Sequence, residues 1–190
     1  MVINSITPHI YLFILTYYKM SFIIVLRHGP IYYDSNKNEL LDVSKFKKMI
    51  PKIIHYVYRY CNIDEIHTSP ISRCEHTANL MAKHFDDCDV YTKQELLRRP
   101  KYSPEEACCA RERSYYCGKN ILERAIKNNK NIMLVTHSSV YQHILEGIIG
   151  YELNEGKKIH INNTAMSIYD INEKKLVNFN IKMYCSKCDL

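Results

Sequence analysis

The chain has 190 residues, 46% of them hydrophobic and 24% charged, with eight cysteines and a net charge of +6. This balance is that of a soluble domain large enough to bury a substantial core. Lys and Arg are dispersed along the chain, which argues against a nucleic-acid-binding tail and favours small anionic partners. The cysteines sit in a chain of α/β pattern, so reduced thiols and a cytoplasmic location are expected rather than a disulfide scaffold.

Residues 1–20 contain an apolar run from Ile10 to Tyr18. It is too short to span a bilayer and lacks the basic flank of a signal peptide. We expect an extension of uncertain role, then one domain over residues 21–190, with no membrane association. The domain opens on Phe22-Ile23-Ile24-Val25-Leu26, a buried-strand pattern that runs into Arg27-His28-Gly29. Ligand sites in open α/β sheets lie at the carboxyl ends of such strands. A neutral imidazole is a nucleophile near neutral pH, and a neighbouring guanidinium binds phosphate oxygens and disfavours imidazolium. The pair points to phosphoryl transfer, although Arg-His-Gly alone serves equally well to cap a strand.

A polar, turn-rich loop follows over residues 30–38. Residues 41–60 carry Leu41, Phe46, Ile50, Ile53 and Val57 at helical spacing, with Ser44 as N-cap and Pro51 as a kink or restart. A second strand over 63–68 ends at Ser69-Pro70, and a helix over 71–85 is expected to start from Ser69 as its N-cap. Arg73 falls in its first turn, where free N–H groups and the macrodipole favour an anion. The alternative for Arg73 is a surface ion pair. A short strand at 89–92 and a charged loop at 93–102 precede a helix over 107–128, which Gly118 is expected to divide. Lys93, Arg98, Arg99 and Lys101 in that region suit either a multiply anionic substrate or a solvated surface.

The strand at 132–136 again runs into a histidine, His137, followed by Ser138-Ser139. Either serine can cap the helix expected over 140–149. His143 shares no helical face with His137 and is read as structural. Closing strands at 159–169 and 175–181 flank a turn at 170–174. Cys185-Ser186-Lys187-Cys188 has no second ligand pair of the kind a zinc site needs, so no metal is expected.

Three blocks therefore stand in order, each at a predicted strand end: Val25-Leu26-Arg27-His28-Gly29; Ser69-Pro70-Ile71-Ser72-Arg73 with Thr77; and Val135-Thr136-His137. Together they resemble the histidine phosphatase (phosphoglycerate mutase-like) superfamily over residues 21–181. The resemblance implies an α/β fold, a three-layer α/β/α sandwich with a mostly parallel mixed central sheet. It also implies a metal-independent phosphomonoester hydrolase without cofactor, acting on a phosphorylated small molecule or phosphoprotein through a phosphohistidine on His28. By the same resemblance His137 is a second catalytic residue, and Arg27, Arg73 and His137 bind phosphate. Ser138, a departure from the family pattern, adds a hydroxyl that is expected to donate to phosphate as well.

Ser138-Ser139 replaces the Gly-Gly or Asp usual after the second histidine, so the Asp that acts as acid in one branch is absent. The general acid is assigned to Glu95. Glu105 and Glu106 are alternatives whose place at a helix start also suits simple dipole complementation. A non-catalytic phospholigand-binding or scaffold protein of the same fold is the alternative to an enzyme. A phosphoglycerate-type mutase is disfavoured, because 190 residues leave little room for the insertions that enclose a bisphosphate.

Overall fold

The computed structural model describes residues 21–98, 104–153 and 160–183, the side chains of 104–107 excepted. Strand β1 (Phe22–Arg27) is buried along its length except for the half-buried Arg27. A strand apolar on both faces needs cover on both. Phe22, Ile24 and Leu26 join one core with helices α1 (Val43–Val57) and α2 (Ser72–Ala82). Ile23 and Val25 join the other with α3 (Pro104–Asn128) and α4 (Ser138–Ile149). Strand β6 (Ile132–Thr136) divides the same way, Met133 and Val135 to the first core, Ile132 and Leu134 to the second. The fold is thus the expected three-layer sandwich.

The six-stranded sheet has the order β5-β4-β6-β1-β7-β8, where β4 is Glu65–Thr68, β5 Asp89–Thr92, β7 Ala165–Asp170 and β8 Lys175–Lys182. β5, β4, β6 and β1 are parallel, and β7 and β8 add antiparallel strands at one edge. The register sets Thr68 opposite Val135 and Arg27 opposite Thr136. Ladder-type bonds continue one residue further, from Ser69 N to Val135 O (3.1 Å) and from His28 N to Thr136 O (3.0 Å). The carboxyl ends of β1, β4 and β6 therefore deliver His28, Ser69 and His137 to one edge.

Several local expectations need correction. Residues 30–38 are not simply a loop. Strands β2 (Ile31–Tyr33) and β3 (Glu39–Leu41) form an antiparallel hairpin, closed by Asp34 accepting from the backbone N–H groups of Asn36 (2.9 Å) and Asn38 (2.8 Å). Helix α1 is capped by Asp42, which accepts from Lys45 N at 3.0 Å, and Ser44 donates to that same carboxylate. Pro51 lies inside α1, which runs on through it. Ile71, not Ser69, occupies the N-cap position of α2, and His137, not a serine, that of α4.

Gly118 does not divide α3, which is continuous over 25 residues. It sits instead where α3 crosses α4. A Cβ there would lie 2.2 Å from Ile144 O, and one on Gly147 of α4 would lie 2.1 Å from Tyr115 O. Each helix presents a glycine to the other's backbone, so packing selects the residue that helix propensity disfavours. The apolar run at 10–18, the rest of residues 1–20 and the Cys185/Cys188 pair lie outside the described residues.

Candidate active site

Gly29 follows the nucleophile candidate because the chain there passes close over the first core. A Cβ at Gly29 would lie 2.6 Å from the Phe46 ring and 2.7 Å from Leu41. Gly29 N donates to Thr77 Oγ1 (3.1 Å), and that hydroxyl donates to Arg73 O (2.7 Å). The first and second sequence blocks are joined through Thr77.

His28 is 3% exposed. Its Nδ1 lies 2.8 Å from Gly29 O. A carbonyl oxygen only accepts, so Nδ1 carries the proton and Nε2 presents its lone pair. Arg73 Nε donates to that nitrogen at 3.2 Å. Burial, opposed by the Gly29 bond and reinforced by the charges of Arg73 and Arg27, pulls the imidazole down to about 4. His28 is therefore neutral at physiological pH, with its free nitrogen turned toward a guanidinium.

His137 lies beside it, the ring centroids 5.4 Å apart. Arg73 Nη2 donates to His137 Nδ1 (3.2 Å), which places the His137 proton on Nε2, donated to Ser69 Oγ (2.9 Å). Burial, then His28 and the charges of Arg73, Arg98 and Arg27, pull His137 down to about 2. The neighbouring Cys74 thiol, 3.4 Å from His137 Nε2, is pushed up to about 12 by burial and stays protonated. It is a packing group here, not a nucleophile.

Arg27 anchors one guanidinium nitrogen on the Ile161 carbonyl, while its buried Nε has no partner among the described residues. Its pKa is lowered by burial and by the charges of Arg73 and Arg98. Arg98 reaches the same cluster through Glu39, whose Oε2 lies 3.0 Å from Arg73 Nη2 and 2.8 Å from Arg98 Nη1. Among the described residues, three guanidinium groups thus face one carboxylate, an excess of two positive charges that matches a phosphomonoester dianion.

The structure brings together His28, His137, Arg27 and Arg73 from the sequence-derived set. Ser138 stands exposed at the first position of α4, beside His137. Glu95 is placed elsewhere. It is exposed on a 3₁₀ turn (Gln94–Leu96) and lines a groove on the α3 side of the sheet with His67, Lys93, Cys117 and Arg124. The side chains of Glu105 and Glu106 lie outside the described residues. Glu39 and Ser69 are the residues at this site that sequence reasoning misses, and Arg98 is one of four cations it leaves between an anionic substrate and a solvated surface. The hairpin carrying Glu39 has strands of three residues with no periodicity, and Arg98 reads as one charge among many. Ser69 reads as a helix cap, when its hydroxyl instead accepts from His137 Nε2. No group of three or more His, Cys, Asp or Glu side chains among the described residues is arranged to hold a metal ion. No helix among them is long and apolar enough to cross a membrane.

Comparison with known proteins fits this geometry. Residues 97–182 match the family model of the histidine phosphatase superfamily (branch 1), a span that includes His137 but starts beyond His28 and Arg73. No curated protein sequence matches the chain. The fold, however, is similar to that of a phosphoserine phosphatase from Entamoeba histolytica in complex with 3-phosphoglyceric acid. The TM-score is 0.64 at 18% identity, covering 86% of this chain and 98% of that one. It is also similar to the protein histidine phosphatase SixA complexed with tungstate, at TM-score 0.60 and 12% identity, covering 85% of this chain and 96% of that one. A third similar structure is a mycobacterial glucosyl-3-phosphoglycerate phosphatase in complex with VO3. Its TM-score is 0.62 at 11% identity, with coverage of 85% and 100%. The resemblance to the histidine phosphatase superfamily is thereby shown, and the fold class is phosphoglycerate mutase-like.

Proposed function

We propose that the chain is a phosphomonoester hydrolase that works through a phosphohistidine on His28, without metal or organic cofactor. The observation that carries this reading is the state of His28 Nε2: unprotonated, held in one tautomer by Gly29 O, and directed at Arg73 within a cluster of excess positive charge. That nitrogen attacks phosphorus in line, and the ester oxygen departs. Arg27, Arg73 and the Ser138 hydroxyl at the start of α4 hold the equatorial oxygens. Burial keeps His137 neutral, and the neighbouring His28 and guanidinium charges reinforce it. A bound dianion offsets the guanidinium charges and attracts a proton, so His137 gains one on binding and donates to an equatorial oxygen. Water then attacks phosphorus, the P–N bond breaks, and His28 regains its lone pair.

The substrate is a phosphorylated small molecule or a phosphoprotein. Structures of similar fold carry tungstate, VO3 and 3-phosphoglyceric acid, all oxyanions or phosphate esters. The test is steady-state turnover of p-nitrophenyl phosphate with a chelator present, for wild type and His28→Ala. The expected result is metal-free turnover in the wild type, an acid-labile phosphoenzyme after quenching, and neither in the variant. Turnover that survives His28→Ala rules the mechanism out.

A further inference from the structure

We propose that Glu39 is the group that delivers the leaving-group proton and later recovers it from water, an assignment that rests on the phosphatase reading above. It is a carboxylate placed against the phosphate-binding arginine: its Oε2 lies 3.0 Å from Arg73 Nη2, while Arg73 Nε lies 3.2 Å from His28 Nε2. The attacking nitrogen and the Glu39 carboxylate thus sit at different nitrogens of a single guanidinium. In-line attack sends the departing ester oxygen away from His28, and Glu39, at 22% side-chain exposure against 6% for Arg73, is the more solvent-accessible member of that ion pair. Glu95, the carboxylate expected from sequence, lines the groove on the α3 side instead.

In the structure as described, Glu39 bridges Arg73 and Arg98. A phosphoryl dianion that engages those two arginines offsets the positive charge beside the carboxylate. It also sets negative charge beside it. Both changes favour the protonated form in the substrate complex, where an acid is needed. The step balances: the P–Nε2 bond forms, the P–O ester bond breaks, and the departing oxygen takes the Glu39 proton. In the second half the carboxylate accepts a proton from the water that displaces His28 from phosphorus. The hairpin β2–β3 is then part of the catalytic apparatus rather than a surface ornament.

The experiment compares kcat/KM for Glu39→Gln and wild type on p-nitrophenyl phosphate and on an alkyl phosphomonoester such as glycerol phosphate. This constant reports the steps through ester cleavage, where the alkoxide needs a proton and the stabilised nitrophenolate does not. The expected result is a loss on the alkyl ester at least ~100-fold greater than on the aryl ester. Aryl turnover in the variant also reports that it is folded. Equal losses on both esters mean that Glu39 only positions the arginines, and a gain on the alkyl ester means that it only blocks the site; either overturns the assignment and leaves the phosphatase reading intact. A wild type that turns over neither ester and takes up no phosphate on His28 overturns both.

Discussion

Arg73 donates from Nε to His28 Nε2 and from Nη2 to His137 Nδ1, each at 3.2 Å, so one planar side chain fixes the spacing of two imidazoles. A lysine has no such fork and offers a single point of charge. Arg73→Lys is expected to lower kcat/KM on an aryl phosphate by about 100-fold or more, the scale of losing an oriented oxyanion donor. Inhibition by orthovanadate should weaken in parallel. Steady-state assays with a vanadate titration check both, and a loss of under about 5-fold contradicts the role given to the fork.

The two histidines make stability depend on pH. His28 titrates near 6.5 in an unfolded chain and near 4 in the fold, and His137 is depressed further, to about 2. Between pH 6.5 and about 4 the unfolded chain therefore binds more protons than the folded one. Stability is highest above 6.5 and falls as pH is lowered through that window. His28 alone accounts for a drop on the order of 3 kcal/mol, at ~1.4 kcal/mol for each pH unit that separates its unfolded and folded titrations. Urea unfolding at pH 7.5, 6 and 4.5 should show the decline, and His28→Asn should make it shallower. The same depression keeps His28 unprotonated well into acid, so its ring resonances should show no titration between pH 8 and 5.

The α3–α4 crossing yields a prediction of stability alone. Alanine favours a helix over glycine by ~1 kcal/mol at an open position. At Gly118 the added methyl meets the Ile144 carbonyl oxygen at 2.2 Å, backbone that no side-chain rotation can clear. Gly118→Ala is expected to destabilise the fold by ~1–3 kcal/mol. Asn120→Ala, at an exposed position in the same helix, should be neutral or slightly stabilising. Denaturant midpoints for the two variants compare them directly, and a stabilised Gly118→Ala would mean that the helices are less closely packed than described.

Legibility in the sequence follows the range of the interaction. The runs before His28 and His137 declare themselves because burial on both faces demands unbroken apolar residues, and their order places both histidines at one sheet edge. Arg73 is legible through the strand–turn–helix pattern around Pro70. Caps can be read only to within two or three residues of their true positions, since Asp42 and Ser44, or Ser69 and Ile71, compete over distances a propensity argument does not separate. Gly118 misleads because its neighbour is on another helix, 26 residues away at Ile144. Glu39 is invisible for the same reason. Its meaning is an ion pair with Arg73, and nothing in the local pattern of Glu39-Leu40-Leu41 announces one.

The Thr77 hydroxyl has both its roles filled, accepting from Gly29 N and donating to Arg73 O. The backbone just past His28 and the first turn of α2 are thus riveted at a single oxygen. A displacement of α2 carries the Gly29 end of β1 with it, so His28 Nε2 and the Arg73 guanidinium travel together instead of losing alignment. Two stretches of chain 45 residues apart behave mechanically as one tool.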